Sequence, residues 1–256
     1  MQQQAPCLQA FFRENPRVAL AFSGGVDSSY LLYAGLHYGA DIRPYYVKTA
    51  FQPQFELDDA LRLAEQLGTA VTVVHHDILS VSNVATNPAD RCYYCKSALF
   101  GLLRERAAAD GYLVLIDGTN ASDDVGDRPG MRALHELCVR SPLRECGITK
   151  SEVRRLSKKA GLSTWDKPAY ACLATRIPAG VPITAELLTR VERAEDALFE
   201  MGFTDFRVRL LGEAARLELA PAQMHTALTL REAIVQALTP DFSAVLLDMA
   251  GRQSKE

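Results

Sequence analysis

Val18-Ala-Leu-Ala-Phe-Ser-Gly-Gly-Val-Asp-Ser-Ser-Tyr30 is the stretch on which the fold turns. The apolar run Val18–Phe22 has the length and composition of a buried strand. Ser23, Gly24 and Gly25 follow as a turn whose backbone can approach a ligand closely. Asp27, Ser28 and Ser29 then open a helix that runs to about Gly39. A glycine turn feeding a helix start is an anion site, because unpaired N–H groups point outward and the helix dipole favours negative charge. Ser23, Gly24, Gly25, Val26, Asp27, Ser28 and Ser29 are therefore expected to grip a phosphate chain.

Two details narrow the kind of site. The Walker A loop is longer and ends in Gly-Lys-Ser/Thr, with the lysine reaching the terminal phosphates. No lysine is present in this turn, and Asp27 stands where that cation would help. An aspartate beside a polyphosphate implies a bridging metal, Mg2+ by preference. The pattern Ser23-Gly-Gly-Val-Asp-Ser-Ser29 resembles the PP-loop of the N-type ATP pyrophosphatases. That resemblance implies ATP cleaved between its α and β phosphates, pyrophosphate held in the loop, and AMP passed to a substrate oxygen.

With 256 residues, 48% hydrophobic and 23% charged, the chain has the composition of a globular protein with a sizeable core. Its net charge of −3 gives no general attraction to nucleic acid or anionic membrane. A tRNA-modifying enzyme needs a basic face, so that branch is disfavoured. No apolar run reaches the length of a membrane span, and from Met1-Gln-Gln-Gln4 no secretory signal is expected. A cytoplasmic location is expected, where the six cysteines would be reduced, metal-bound or catalytic rather than disulfide-paired.

Strand and helix patterns alternate after Arg17. Strands are predicted at Val18–Phe22, Ile42–Val47, Val71–His75 and Leu113–Ile116. Helices are predicted at Ser28–Tyr38, Phe55–Leu67, Tyr94–Ala109 and Thr149–Ala160, the last with a Thr149/Glu152 capping box and a Gly161 stop. This order predicts an α/β fold, a parallel sheet with helices on both faces, binding ligands at the carboxyl ends of its strands. After Trp165 the prolines Pro168, Pro178 and Pro182 punctuate a long irregular loop, and such loops are often functional. Helix Ala185–Met201, strands Asp205–Leu211 and Ala215–Leu219, a helix near Met224–Leu238 and strand Ala244–Leu247 make a smaller C-terminal α+β domain. The expected division is 1–165 for the nucleotide domain, 166–183 for an active-site loop, and 184–256 for substrate binding and oligomerisation.

Four further groups carry chemistry. Asp117-Gly-Thr-Asn120 lies directly on a strand end, so Gly118, Thr119 and Asn120 should border the same sheet edge as the glycine turn. Beyond them, Asp123, Asp124 and Asp127 suit Mg2+ or ribose, and Arg128 suits a phosphate or carboxylate. Cys92 and Cys95 form a Cys-x-x-Cys pair, which can hold a metal, an iron–sulfur cluster or a redox disulfide. Cys172 sits inside the long loop between Lys167 and Arg176, cations that favour a nucleophilic or metal-binding thiolate. Cys7, Cys138 and Cys146 look like ordinary structural positions. Arg207 and Arg209, two apart on a strand, share a face. A paired strand would add Arg216, with Glu218 to orient one of them, making an anion site. Glu192 and Glu195, on the preceding helix, suit a metal or substrate role but read first as a solvent face.

Ser23–Ser29, Asp117–Gly130, Arg140-Ser-Pro-Leu143, Trp165–Pro178 and Arg207–Glu218 together resemble the LarE family, sulfur transferases that help build the nickel-pincer nucleotide cofactor. The likeness spans nearly the whole chain, and the stretch around Cys172 is its most specific part. It implies the adenine nucleotide α-hydrolase-like, PP-loop fold. It also implies adenylation of a carboxylate of pyridinium-3,5-biscarboxylic acid mononucleotide, then displacement of AMP by sulfur. Asp27 and Cys172 would be catalytic, and Arg128, Arg176, Arg207, Arg209, Arg216 and Glu218 would bind substrate. Two sulfur sources are open. Cys92, Cys95 and Cys172 would hold a [4Fe-4S] cluster with a spare sulfide, or Cys172 would give up its own sulfur. A homo-oligomer is expected, with transient contact to other proteins of nickel-pincer biosynthesis and no nucleic acid or membrane partner. Thr175 stands where serine is expected and Ala179 where tyrosine is, and the ending Gly251–Glu256 is short. The competing readings are a tRNA thiolase or amide-forming synthetase of the same superfamily, and a non-catalytic nucleotide-binding regulator.

Overall fold

Strand β1 (Arg17–Ala21) is hydrogen-bonded along both edges, to β2 (Asp41–Lys48) on one side and β4 (Val114–Ile116) on the other. The structure is a computed structural model that describes residues 4–123 and 129–252. β3 (Thr72–His75) joins beyond β2, so the order is β3-β2-β1-β4 with every pair parallel. By contact the chain divides into two units, Met1–Val84 with Asp90–Ala169, and Ala85–Ala89 with Tyr170–Glu256. Residues 166–169 thus fall in the first unit and 170–183 in the second.

Side chains alternate across the first sheet. Val18, Leu20, Ile42, Tyr46 and Ile116 enter one core. There they meet α1 (Gln4–Glu14), α2 (Val26–His37), α3 (Gln54–Gln66) and α8 (Lys150–Lys159) through Phe12, Leu31, Leu57 and Val153. Ala19, Tyr45 and Leu115 enter the opposite core against Leu103 and Ala107 of α5 (Arg91–Ala109). Both faces of the parallel sheet are therefore covered, as expected for strands that are apolar on both sides. The short helices α4 (Ser82–Ala85), α6 (Pro129–Glu136) and α7 (Pro142–Glu145) complete this part of the chain.

The second unit has its own sheet, β5 (Arg207–Leu211), β6 (Ala214–Glu218) and β7 (Val245–Leu247), in that order. β5 and β6 are antiparallel, whereas β6 and β7 are parallel. Helices α9 (Ala185–Glu200), α10 (Met224–Thr229) and α11 (Arg231–Leu238) accompany it. The single helix predicted near Met224–Leu238 is interrupted at Leu230, whose backbone leaves the helical region. Among the described residues no helix is long and apolar enough to cross a membrane.

Two expectations are corrected. α5 begins at Arg91 rather than Tyr94, so Cys92 and Cys95 lie inside its first turns. Cys7 and Cys146 are not separate unbonded positions but a disulfide, with Cα atoms 5.7 Å apart. Their 139-residue separation hid the pairing, which depends on α1 and α7 lying side by side.

Candidate active site

Strand order 3-2-1-4 places the topological switch between β1 and β4, and ligands bind outside the carboxyl ends of strands at such a point. The turn Ser23–Gly25 leaves β1 there and Asp117–Asn120 leaves β4 there. The Ser28 hydroxyl donates to the Gly25 carbonyl at 3.2 Å and accepts from the Ser23 amide at 3.3 Å, which folds the turn back on the helix start. Gly25 caps α2 without a side chain, and the first bond of the helix runs from the Ser29 amide to the Gly25 carbonyl. The opening amides of α2 thus face the switch point without a side-chain cap. Ser29 is fully buried, and its hydroxyl has no hydrogen-bond partner among the described residues.

Two glycines permit this geometry. Gly24 has φ +70° and a Cβ there would lie 2.8 Å from the Ala60 Cβ. A Cβ on Gly118 would lie 2.9 Å from the Ser28 amide nitrogen, which is backbone and cannot give way cheaply. We expect Gly118→Ala to force the two loops apart and to cost about 1–3 kcal/mol of stability, measured by urea unfolding.

Asp27 is the electrostatic centre. Its carboxylate accepts from the Asn120 side-chain NH2 group at 3.2 Å and from Lys150 Nζ at 2.5 Å. The Lys150 backbone amide donates to the Ser122 hydroxyl at 3.0 Å, and the Ser122 amide donates to the Asn120 side chain at 2.8 Å. Asp27, Asn120, Ser122 and Lys150 therefore close a ring. Burial raises the Asp27 pKa above 3.8, outweighing the opposing pull of Lys150, and Asp123 adds to the rise. No lysine lies in the turn itself, as the sequence shows, but Lys150 reaches Asp27 from α8. A signal existed, since a lysine in the first turn of a helix opposes the dipole and needs a reason to be there.

Asp117 braces the other loop, accepting from the Thr119 amide at 3.2 Å and the Ser141 hydroxyl at 2.7 Å. Asp123 accepts from the Asn120 amide at 2.9 Å. Asp124, Asp127 and Arg128 lie outside the described residues. Cys92 is exposed and Cys95 half-buried, one helical turn apart on α5. Lys167 pairs with Asp59 at 2.8 Å.

In the second unit the strand register puts Arg207 opposite Glu218 and Arg209 opposite Arg216, so all four share one face. Glu218 accepts from Arg209 at 2.7 Å and from Arg216 at 2.6 Å. Arg209 also donates to the Thr175 carbonyl at 2.5 Å, which ties the arginine face to the turn that carries Cys172. Cys172 is half-buried and caps the 3-10 turn Leu173–Arg176. Arg176 is 1% exposed and donates to the carbonyls of Ala171 and Cys172.

Glu195 holds Arg176. It is 1% exposed, not the solvent-facing residue expected. Its two oxygens accept from Arg176 at 2.8 and 3.0 Å, from the Val208 amide at 2.9 Å, and from the Tyr170 hydroxyl. Its place was legible: Leu188, Val191 and Leu198 mark the buried stripe of α9, and Glu195 lies on it. The Tyr170 ring lies beneath two guanidiniums, Arg176 at 4.7 Å and Arg207 at 5.0 Å. Burial, with Arg176 and Arg252 nearby, pulls Arg207 down to about 10, so it remains charged at neutral pH but under electrostatic pressure. Among the described residues no three His, Cys, Asp or Glu side chains are grouped to hold a metal ion.

A parallel α/β unit with a glycine turn at its switch point, followed by a smaller unit bearing an arginine face, defines a class of two-unit α/β proteins built around a glycine turn at a helix start. No family model matches the chain. It is 33% identical over 250 residues, 96% of this chain and 91% of the relative, to pyridinium-3,5-bisthiocarboxylic acid mononucleotide synthase of Lactiplantibacillus plantarum. It is 41% identical over 253 residues, 96% and 94% of the two chains, to the uncharacterised protein slr1717 of Synechocystis. The uncharacterised protein MJ0830 of Methanocaldococcus jannaschii is 29% identical over 206 residues, 80% and 79% of the two chains. The chain belongs to the LarE family.

Proposed function

We propose that this protein is an ATP-dependent sulfur transferase that acts on pyridinium-3,5-biscarboxylic acid mononucleotide during nickel-pincer nucleotide synthesis. The observation that carries the adenylation step is the ring of Asp27, Asn120, Ser122 and Lys150 around the opening of α2. Family membership supports the choice of substrate.

A carboxylate is a poor electrophile until it acquires a good leaving group. Its oxygen attacks the α-phosphorus of ATP, pyrophosphate departs, and an acyl adenylate remains. Ser23–Gly25 and the first amides of α2 take the departing phosphates, and Lys150 exchanges its Asp27 contact for them. Asp27 and Asp123 suit Mg2+, which binds one or two carboxylates together with phosphates. When bound, it would neutralise charge developing on pyrophosphate. Arg207, Arg209 and Arg216 hold the substrate's own phosphate, which relieves the pressure on Arg207. A sulfide-level sulfur then attacks the acyl carbon and AMP leaves, giving a thiocarboxylate.

The family resemblance assigns Cys92, Cys95 and Cys172 as ligands of a [4Fe-4S] cluster; Cys92 and Cys95 are a helical turn apart on α5, but among the described residues no three such side chains are grouped. Such a cluster would supply the sulfur as a spare sulfide. In the other route Cys172 attacks, forms a thioester, and loses its sulfur by β-elimination, becoming dehydroalanine. Intact mass across one turnover decides between them: the second route removes one sulfur and two hydrogens, about 34 Da. On the cluster route the mass is unchanged, labile sulfide is consumed, and anaerobically prepared Cys92→Ala protein lacks iron and sulfide. Release of pyrophosphate that needs RNA, or none with the pyridinium dicarboxylate present, would overturn the substrate assignment.

A further inference from the structure

The sulfur-transfer chemistry leaves Cys7, Cys138 and Cys146 unused; Cys138 is an exposed free thiol, whereas Cys7 and Cys146 are bonded to each other. The bond joins α1 to the residue that ends α7. Four residues further along lies Lys150. The path between is stiff. Ile148 is fully buried, its amide bonded to the Leu143 carbonyl at 2.8 Å and its carbonyl to the Ala121 amide at 2.8 Å. Thr149 caps α8 and Lys150 pairs with Asp27. A second tie runs parallel to the disulfide, with Arg140 over the Phe11 ring at 5.1 Å and bonded to Glu145. Leu8, Phe11 and Phe12 keep α1 in the core whether or not the sulfurs are joined. Both cysteines are half-buried, so a small thiol can reach them. In a reducing compartment such a bond acts as a sensor rather than a permanent staple.

We infer that Cys7–Cys146 is a reversible redox clamp on the nucleotide site: the disulfide form holds the α7–α8 corner with Lys150 on station, and the dithiol form loosens it. This rests on the proposed role of Lys150 in holding phosphate. The thiols of Cys7 and Cys146 react with one small-molecule disulfide, such as glutathione disulfide. One S–S bond forms in the protein, one breaks in the oxidant, and two small thiols leave with both protons and both electrons. Coupling is reciprocal, so bound nucleotide makes the protein disulfide harder to reduce by the factor by which the disulfide tightens nucleotide binding.

The full-length protein is equilibrated with glutathione disulfide or with reduced glutathione, alkylated, and mapped by peptide mass. ATP affinity is then measured by calorimetry for both forms and for a Cys7→Ser/Cys146→Ser variant. The oxidised form should protect Cys7 and Cys146 from alkylation and bind ATP about tenfold more tightly than the reduced form. The double variant should match the reduced form in both buffers. Alkylation of Cys7 and Cys146 in glutathione disulfide, or equal ATP affinity of the two forms, overturns the clamp. If neither form binds ATP, the reading of Lys150 fails by itself, and amide exchange then judges the clamp. Exchange at Ile148 and Lys150 about tenfold faster in the reduced form supports it, and equal exchange overturns it.

Discussion

Lys150→Ala should reduce pyrophosphate release from ATP by about 10²–10³-fold, the usual loss when one donor to a developing anion is removed. Lys150 Nζ sits 2.5 Å from Asp27 in the resting protein, within a ring that fixes its backbone through Ser122. On the proposed mechanism its charge is held beside the turn before the phosphates arrive, and it need only exchange Asp27 for them. The pH profile adds a readout that a general loss of structure would not reproduce. Asp27 already titrates above 3.8 because burial outweighs Lys150. Removing Lys150 removes both of its lowering effects, so the carboxyl holds its proton to higher pH. The acid limb of the rate profile should therefore lie above the ordinary aspartate range in the native enzyme and move higher still in Lys150→Ala. Lys150→Arg, which keeps the charge, should recover part of the rate. A rate in Lys150→Ala within about twofold of native would remove lysine from the mechanism.

What the sequence discloses and what it hides follow from range. Val18–Phe22 and the turn after it are local, and a local rule reads them: an apolar run, two glycines and a helix start. The parallel sheet followed from alternation of strands and helices, and the shared face of Arg207 and Arg209 followed from the two-residue repeat of a strand. Lys150 escaped because it reaches Asp27 from 123 residues away, and no spacing rule connects them. Cys7–Cys146 escaped for the same reason. Helix α1 preceded the first turn signal, and its Cys-Leu-Gln-Ala-Phe-Phe pattern acquires meaning only against the sheet it covers. Glu195 is a different case. Its position on the apolar stripe of α9 was visible, but a carboxylate is a rare core residue and is not expected there until its partners are known. Those partners, Arg176 and Tyr170, come from an irregular loop that no periodicity describes.

Glu195→Ala should destabilise the protein by about 3–5 kcal/mol, the range for breaking a buried ion pair by removing one member. The Arg176 and Glu195 side chains are 0% and 2% exposed, so water cannot replace the lost partner. The change leaves Arg176 without its carboxylate, close to Arg207, whose charge is already opposed first by burial and then by Arg176 itself. Tyr170→Phe removes a single hydroxyl from the same carboxylate and should cost about 1 kcal/mol. Urea unfolding followed by circular dichroism measures both, and fluorescence of the single tryptophan, Trp165, follows the first unit separately. Glu195→Gln tests the functional side with a shape that still fits. It keeps an acceptor for the Val208 amide but loses the charge and the two-pronged grip on Arg176. Because Arg176 holds the carbonyls of Ala171 and Cys172, the thiol should lose its fixed position while the ring around Asp27 stays intact. Pyrophosphate release should then persist in Glu195→Gln, whereas thiocarboxylate formation should fall by about tenfold or more, since a small misplacement of a reacting atom carries that penalty. Equal loss of both steps would make Glu195 a support of the fold alone, and loss of neither would show that Arg176 holds the Cys172 turn without it.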